Sequence, residues 1–138
     1  MRIGYDKRAA ATDAFALLVE GWNEQVQRGF TVEGDAICPI STTDQVVYAE
    51  SDEQDIIGAI SFQADKDTGV ASVKVAYVEP SSRKRGVFKQ LLAEMHRIAM
   101  QQGMDRVVVT ASPDNAEFLA VMRHLNRPVV AHTFELGV

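Results

Sequence analysis

At 138 residues, 46% of them hydrophobic and 24% charged, the chain has the size and balance of one compact domain with a packed core, which excludes a disordered or fibrous protein. Its formal net charge of −5 runs against general nucleic-acid or anionic-membrane binding, since both draw on a broad positive field. A single cysteine, Cys38, excludes an intrachain disulfide and a multi-cysteine metal site, and no apolar run nears the roughly 20 residues of a membrane span. The expectation is one domain over residues 1–138, in the cytoplasm, away from membranes and nucleic acid, and without a metal.

The first element the pattern predicts is a helix. Phe15, Leu18, Val19, Trp22 and Val26 recur at helical spacing, with Thr12 placed to cap the start and Gly29 to stop the end. Residues 31–45 carry Gly34, Pro39 and a run of hydroxyl and acidic residues with no period, which reads as a loop. Val46 to Glu50 and Ile56 to Gln63 read as two strands of a hairpin across a polar turn, with Gly58 as the site of a bulge. The turn signal Asp65-Lys66-Asp67-Thr68-Gly69 leads into a third strand, in which Val73, Val75 and Tyr77 alternate with Ser72, Lys74 and Ala76. The period then changes to 3.6: Phe88, Leu91, Leu92, Met95, Ile98 and Ala99 form one stripe, and Gly103 ends it.

Val107-Val108-Val109 reads as an interior strand covered on both faces and parallel to the third. Ser112 and Pro113 predict the cap and first residue of a helix striped by Phe118, Val121, Met122 and Leu125, which Pro128 terminates. A last strand is expected from Val129 to Leu136. The sum is an α/β domain: a mixed, mostly antiparallel twisted sheet with helices on both faces and a short C-terminal strand region.

One stretch breaks the rules of its neighbourhood. Arg83 to Lys89 holds four positive charges and no negative one, leaving −9 on the rest of the chain. A helix start already bears about half a positive charge on its unpaired N–H groups, so cations there are disfavoured by about 0.3–1 kcal/mol each. An anion would relieve the conflict, and Gly86, lacking Cβ, would let the backbone approach it closely. The same charges also fit a solvated basic helix end that pairs with the acidic remainder of the chain.

The stretch from Val78 to Leu92, reading Val78-Glu79-Pro80-Ser81-Ser82-Arg83-Lys84-Arg85-Gly86-Val87-Phe88-Lys89-Gln90-Leu91-Leu92, resembles the acetyl-CoA motif of the GNAT N-acetyltransferase superfamily. In that family a strand ending in valine-x-proline leads to Arg/Gln-x-x-Gly-x-Gly/Ala and a helix. The resemblance implies that Ala76, Tyr77 and Val78 line the pantetheine arm, and that Arg83, Lys84, Arg85, Gly86, Val87, Phe88 and Lys89 hold the pyrophosphate. Phe88 departs from the usual Gly or Ala; as the first residue of the helix stripe, it can point into the core and leave its N–H free. The segment from Asn115 to Asn126 is similar to the family's next motif, with Asn115 matching the CoA-contacting Asn and Met122 standing where a proton-donating Tyr is usual. The likeness spans about two-thirds of the chain.

The activity so implied is transfer of an acetyl group from acetyl-CoA to a primary amine, on a small molecule or a protein. Such chemistry needs a base for the substrate ammonium, N–H donors for the thioester carbonyl and a proton for the thiolate. Glu79 and Glu50 are the candidate bases, and Ser112, Tyr77 and His124 the candidate acids. Glu33, Asp35, Asp44, Asp52 and Asp55 fall on loops that could rim a cleft for a cationic acceptor. Two rivals stand: a CoA-binding or interaction module with weak catalysis, favoured by Met122, and a small nucleic-acid-binding domain using the same cations. The sequence leaves a homodimer open.

Overall fold

The computed structural model describes residues 1–30, 40–132, 134 and 136. Cys38, Glu33 and Asp35, with most of the loop expected over 31–45, lie outside the described residues. Five strands, β1 (Arg2–Asp6), β2 (Gln45–Glu50), β3 (Ile56–Asp65), β4 (Val70–Val78) and β5 (Arg106–Val108), form one sheet in that spatial order. The helices are α1 (Ala14–Gln27), α2 (Val87–Gln101) and α3 (Ala116–His124). Strands β1 to β4 pair antiparallel, and β5 joins β4 in parallel after the α2 crossover.

Side chains alternate across the sheet, and each face has its own cover. Leu18 and Trp22 of α1 pack on Val46, Ala59 and Val75, while Leu91, Met95 and Ile98 of α2 pack on Val47, Ile60 and Phe62. Helices on both faces of a mostly antiparallel mixed sheet are therefore observed as expected. Trp22 is the buried anchor between helix and sheet that its position suggests.

Several local readings need correction. A strand precedes the helix expected as the first element: β1 is short and mixed in character, and it is held by five pairs with β2. Thr12 does not cap α1; its hydroxyl donates to the Ala9 carbonyl at 2.9 Å, inside a preceding 3-10 turn, and Asp13 holds the cap position. The bulge expected at Gly58 falls beside it, where Ala49 faces Gly58 and Glu50 faces Ile56, leaving Ile57 unpaired. The strand at Val107 is not interior. It has three residues, is partly exposed and forms the edge of the sheet. The described residues of the final expected strand, 129–132, 134 and 136, lie in no strand, and Val129, Val130, Phe134 and Leu136 are exposed.

A second bulge matters more for function. Ser61 faces Val75 but Phe62 faces Val73, so Lys74 is the extra residue on β4. The Ser61 hydroxyl repairs the gap by accepting from the Val75 amide at 3.1 Å. A bulge bends and twists the strand that carries it. It lies just beyond Ser72↔Val108, the last pair between β4 and β5. β5 ends at Val108, so from Val73 to Val78 the β5 side of β4 has no strand beside it among the described residues.

Candidate functional site

Beyond the end of β5 lies a wedge whose one wall is the bare edge of β4. The Glu79 amide donates to the Ile57 carbonyl at 2.9 Å, on the β3 side. Because that peptide is planar and trans, the Val78 carbonyl points the opposite way, into the wedge. Strand alternation turns the amide and carbonyl of Ala76 in the same direction. Ala76 and Val78 thus offer backbone groups to anything lying in the wedge, whereas the Tyr77 backbone faces β3 and its side chain turns toward α1.

Immediately after β4 the chain makes a 3-10 turn, Pro80–Ser82, and then reverses through two left-handed residues, Lys84 at φ 64° and Gly86 at φ 79°. Left-handed geometry costs a residue with a Cβ about 1–2 kcal/mol, which explains Gly86. An added Cβ there would meet nothing within 4 Å, so the space in front of it is open. Gln90 is the first amide after the turn to reach a carbonyl, that of Gly86 at 3.1 Å; the amides of Lys84, Arg85, Gly86, Val87, Phe88 and Lys89 donate to no other described residue. Lys84, Arg85 and Lys89 are exposed and form no ion pair among the described residues. Val87 is buried in the core, and Phe88, half-buried, packs against the same core and meets Phe118 of α3 edge-on at 6.0 Å.

Arg83 behaves differently from the other three cations. Its Nε donates to the Val78 carbonyl at 2.8 Å, its terminal nitrogen reaches Glu24 of α1 at 3.3 Å, and its guanidinium lies 5.2 Å from the centre of the Tyr77 ring. It is folded back over the end of β4 and not extended toward the open amides. Tyr77 is buried against α1, where Gly21 leaves room for it. Burial first, and then the carboxylates of Glu24 and Glu20, push its phenol up to about 12, with Arg83 opposing.

Beside Tyr77 the polar face of α1 opens on a hollow of about 470 Å³ lined by Glu20, Asn23, Glu24 and Gln27. Glu20 also lines a neighbouring hollow of about 780 Å³ between α1, the β2–β3 turn and the turn after β4, which includes Asp13, Asp55, Glu79 and Arg85. Glu20 and Glu24 are the residues that sequence reasoning missed. Their spacing marks only the wet side of an amphipathic helix, and no local signal separates such a side from the wall of a cleft.

The expected catalytic residues fare unevenly. Glu79 borders the larger hollow, but one of its oxygens already accepts from the hydroxyls of Ser81 and Ser82 at 3.0 and 2.9 Å. Glu50 is two strands away from β4 and pairs with Arg2 at 3.2 Å; it lines neither hollow. Ser112 does not cap α3. Its hydroxyl accepts from the Asp114 amide at 3.2 Å in the turn before the helix, and Asn115 is the cap, accepting from the Phe118 amide at 3.2 Å. That bond engages the Asn115 carbonyl oxygen and leaves its NH2 group for another partner. Asp44, expected on a rim, is fully buried and accepts from the amide and hydroxyl of Ser41. Asp52 holds the N-terminal ammonium at 2.8 Å. Met122 is half-buried on α3, and His124 is exposed at that helix's end. No metal-holding cluster of His, Cys, Asp or Glu occurs among the described residues, and none of their helices is long and apolar enough to cross a membrane.

The family model described as acetyltransferase (GNAT) matches residues 12–125, and the chain belongs to that family. Its structural relatives include an aminoglycoside N-acetyltransferase solved in complex with CoA, at 20% identity over 99% of this chain and 98% of that one, with a TM-score of 0.66. A ribosomal-protein-alanine N-acetyltransferase from Brucella melitensis biovar Abortus 2308 shares 15% identity over the whole of both chains, with a TM-score of 0.71. The N-acetylglutamate synthase of Neisseria gonorrhoeae, complexed with CoA and N-acetyl-glutamate, aligns over 88% of this chain and 28% of that one at 13% identity and a TM-score of 0.61. Identities this low speak to the fold. No curated protein matches the sequence.

Proposed function

We propose that this chain is an N-acetyltransferase that moves the acetyl group of acetyl-CoA to a primary amine presented as a cation. The observation that carries the reading is the edge of β4 left without a partner strand among the described residues after Ser72, followed in the chain by the unpaired amides of residues 84–89. The residues present fit CoA: the left-handed turn and the open space at Gly86 admit a pyrophosphate onto the amides, and Lys84, Arg85 and Lys89 supply charge around it. The bare edge of β4 at Ala76 and Val78 suits the amide-bearing pantetheine arm.

Bound there, acetyl-CoA would supply an activated thioester carbonyl. The free amides of Ala76 and Val78 are the donors along that edge able to stabilise charge on the carbonyl oxygen, an interaction typically worth about 2.7–4 kcal/mol. The α1 face attracts the acceptor ammonium through Glu20 and Glu24. Glu24 is engaged with Arg83 and Arg28, whereas Glu20 has no ion-pair partner among the described residues, so Glu20 is the carboxylate placed to receive the amine proton. Tyr77, its phenol held neutral, contributes a hydroxyl and not a charge.

The test has two parts. Thermal unfolding with acetyl-CoA at about 100 times its dissociation constant should show about 2.7 kcal/mol of added stability, and adenosine alone should not. Thiol release from acetyl-CoA over a panel of primary amines should then identify an acceptor, and Glu20→Gln should slow it about 100-fold without reducing the acetyl-CoA shift. Absence of both the shift and the thiol rejects the reading. Met122 sustains the second one, a CoA-binding module with weak catalysis, whose signature is a clear shift with no thiol from any amine.

A further inference from the structure

We propose that Arg83 is a positioning residue that sets where the acyl-carrying arm lies along β4, and is not a ligand of the pyrophosphate. The inference rests on the reading of the wedge as an acyl-CoA site and goes beyond it by assigning one cation of the basic run a separate task.

Of the outward-facing groups at the end of β4, the Val78 carbonyl is the last, and Arg83 Nε occupies it at 2.8 Å. A guanidinium presents its donors in a fixed planar fork, so fixing Nε on one acceptor also fixes where the terminal nitrogens point. One of them lies 3.3 Å from Glu24, 59 residues away on α1, and the plane lies over Tyr77. Three contacts on two elements therefore hold this side chain. They hold its charge at the end of β4 and on α1, whereas Lys84, Arg85 and Lys89 are exposed and free of ion pairs among the described residues.

Two consequences follow for an extended arm pairing with β4. With the Val78 carbonyl taken, the outward groups left at the end of β4 are the amide of Val78 and the amide and carbonyl of Ala76, which restricts the registers in which the arm and its thioester carbonyl can meet them. The bond to Glu24 also holds the acceptor wall on α1 at a set distance from that register. An arm free to slide by a residue would carry its carbonyl past the amides meant to receive it.

Binding measurements on the full chain decide the matter, using acetyl-CoA and its armless half, adenosine 3′-phosphate 5′-diphosphate. Releasing the Val78 carbonyl adds competing registers for the arm, and misplacing the arm by one register corresponds to about a tenfold change in affinity. Arg83→Gln should weaken acetyl-CoA by about that factor and leave the armless ligand within about twofold. Arg83→Lys, which can reach one of the two partners but not both, should fail to restore acetyl-CoA affinity. Glu24→Gln gives the opposing signs and keeps the test independent of how well the Arg83 variants fold. Under the positioning role it weakens acetyl-CoA alone, whereas a phosphate-binding Arg83 released from Glu24 would tighten both ligands. Parallel loss of both ligands in Arg83→Gln, or tightening of both in Glu24→Gln, overturns the inference while leaving the acyl-CoA site intact. A wild-type chain that binds neither ligand removes the proposed function and this inference together.

Discussion

Replacing Gly21 by alanine should destabilise the protein, although the same change in an ordinary helix stabilises it. Gly21 lies mid-way along α1, where alanine is favoured by about 0.8–1.0 kcal/mol on propensity alone. A Cβ at this position would stand 2.5 Å from Cβ, 2.6 Å from Cγ and 2.8 Å from Cδ1 of Tyr77. Ordinary carbon contact needs about 3.5–4.0 Å, so the overlap is roughly 1 Å. The nearest atoms are the root of the tyrosine, fixed to β4, and no rotation of the ring relieves the clash. The helix itself must back away from the sheet, an overpacking cost of about 3 kcal/mol at the upper end of the usual range. The net expectation is a loss of about 2 kcal/mol, and for a domain of this size a melting point lower by roughly 6–10 °C. Because Glu20 and Glu24 ride on the same helix, amine-dependent thiol release should fall with it. Urea unfolding monitored by circular dichroism, at matched protein concentration, reads the stability. A variant as stable as the parent, or more so, would refute the argument that Tyr77 sets the distance between α1 and β4.

Two further expectations follow from the site. Gly86→Ala meets no steric obstacle but must hold a left-handed backbone, so it should lose about 1–2 kcal/mol of stability and weaken CoA by obstructing the amides; undiminished CoA affinity by calorimetric titration would contradict the placement of the pyrophosphate. Tyr77, held up to about 12, keeps its proton more firmly folded than unfolded, so its contribution to stability is complete below pH 10 and is lost as pH rises from 10 through 12. Absorbance titration at high pH should show a tyrosine step near 12 that Tyr77→Phe removes and Glu24→Gln moves down; an unshifted step in Glu24→Gln would dismiss the Glu24 carboxylate as a cause.

Much of this protein was legible in local sequence. The 3.6-residue stripe of α2 is a short-period pattern and survives in the structure with its side chains in the core, whereas the alternation expected of Val73, Val75 and Tyr77 is broken by the bulge at Lys74, which puts Val73 on the α2 face and Val75 on the α1 face. The turn between β4 and α2 was readable at Gly86, because its φ of 79° is a conformation that a residue without Cβ adopts at little cost. The first strand was not readable in the same way. Its five residues have no convincing period, and Gly4, which lies under the ring of Tyr48, makes sense only when β2 is alongside.

What the tertiary structure decided is where each charge points. Four cations in seven residues look equivalent along the chain, yet among the described residues only Arg83 meets a carboxylate 59 residues away and a strand-end carbonyl. Glu20 and Glu24 pass for solvated helix surface until β5 ends after three residues and leaves β4 bare beside Tyr77. Short-range pattern determines which face of an element is buried, because that depends on neighbours three or four residues off. Which exposed groups confront one another across a gap depends on pairings between distant segments, and no period in the chain records those.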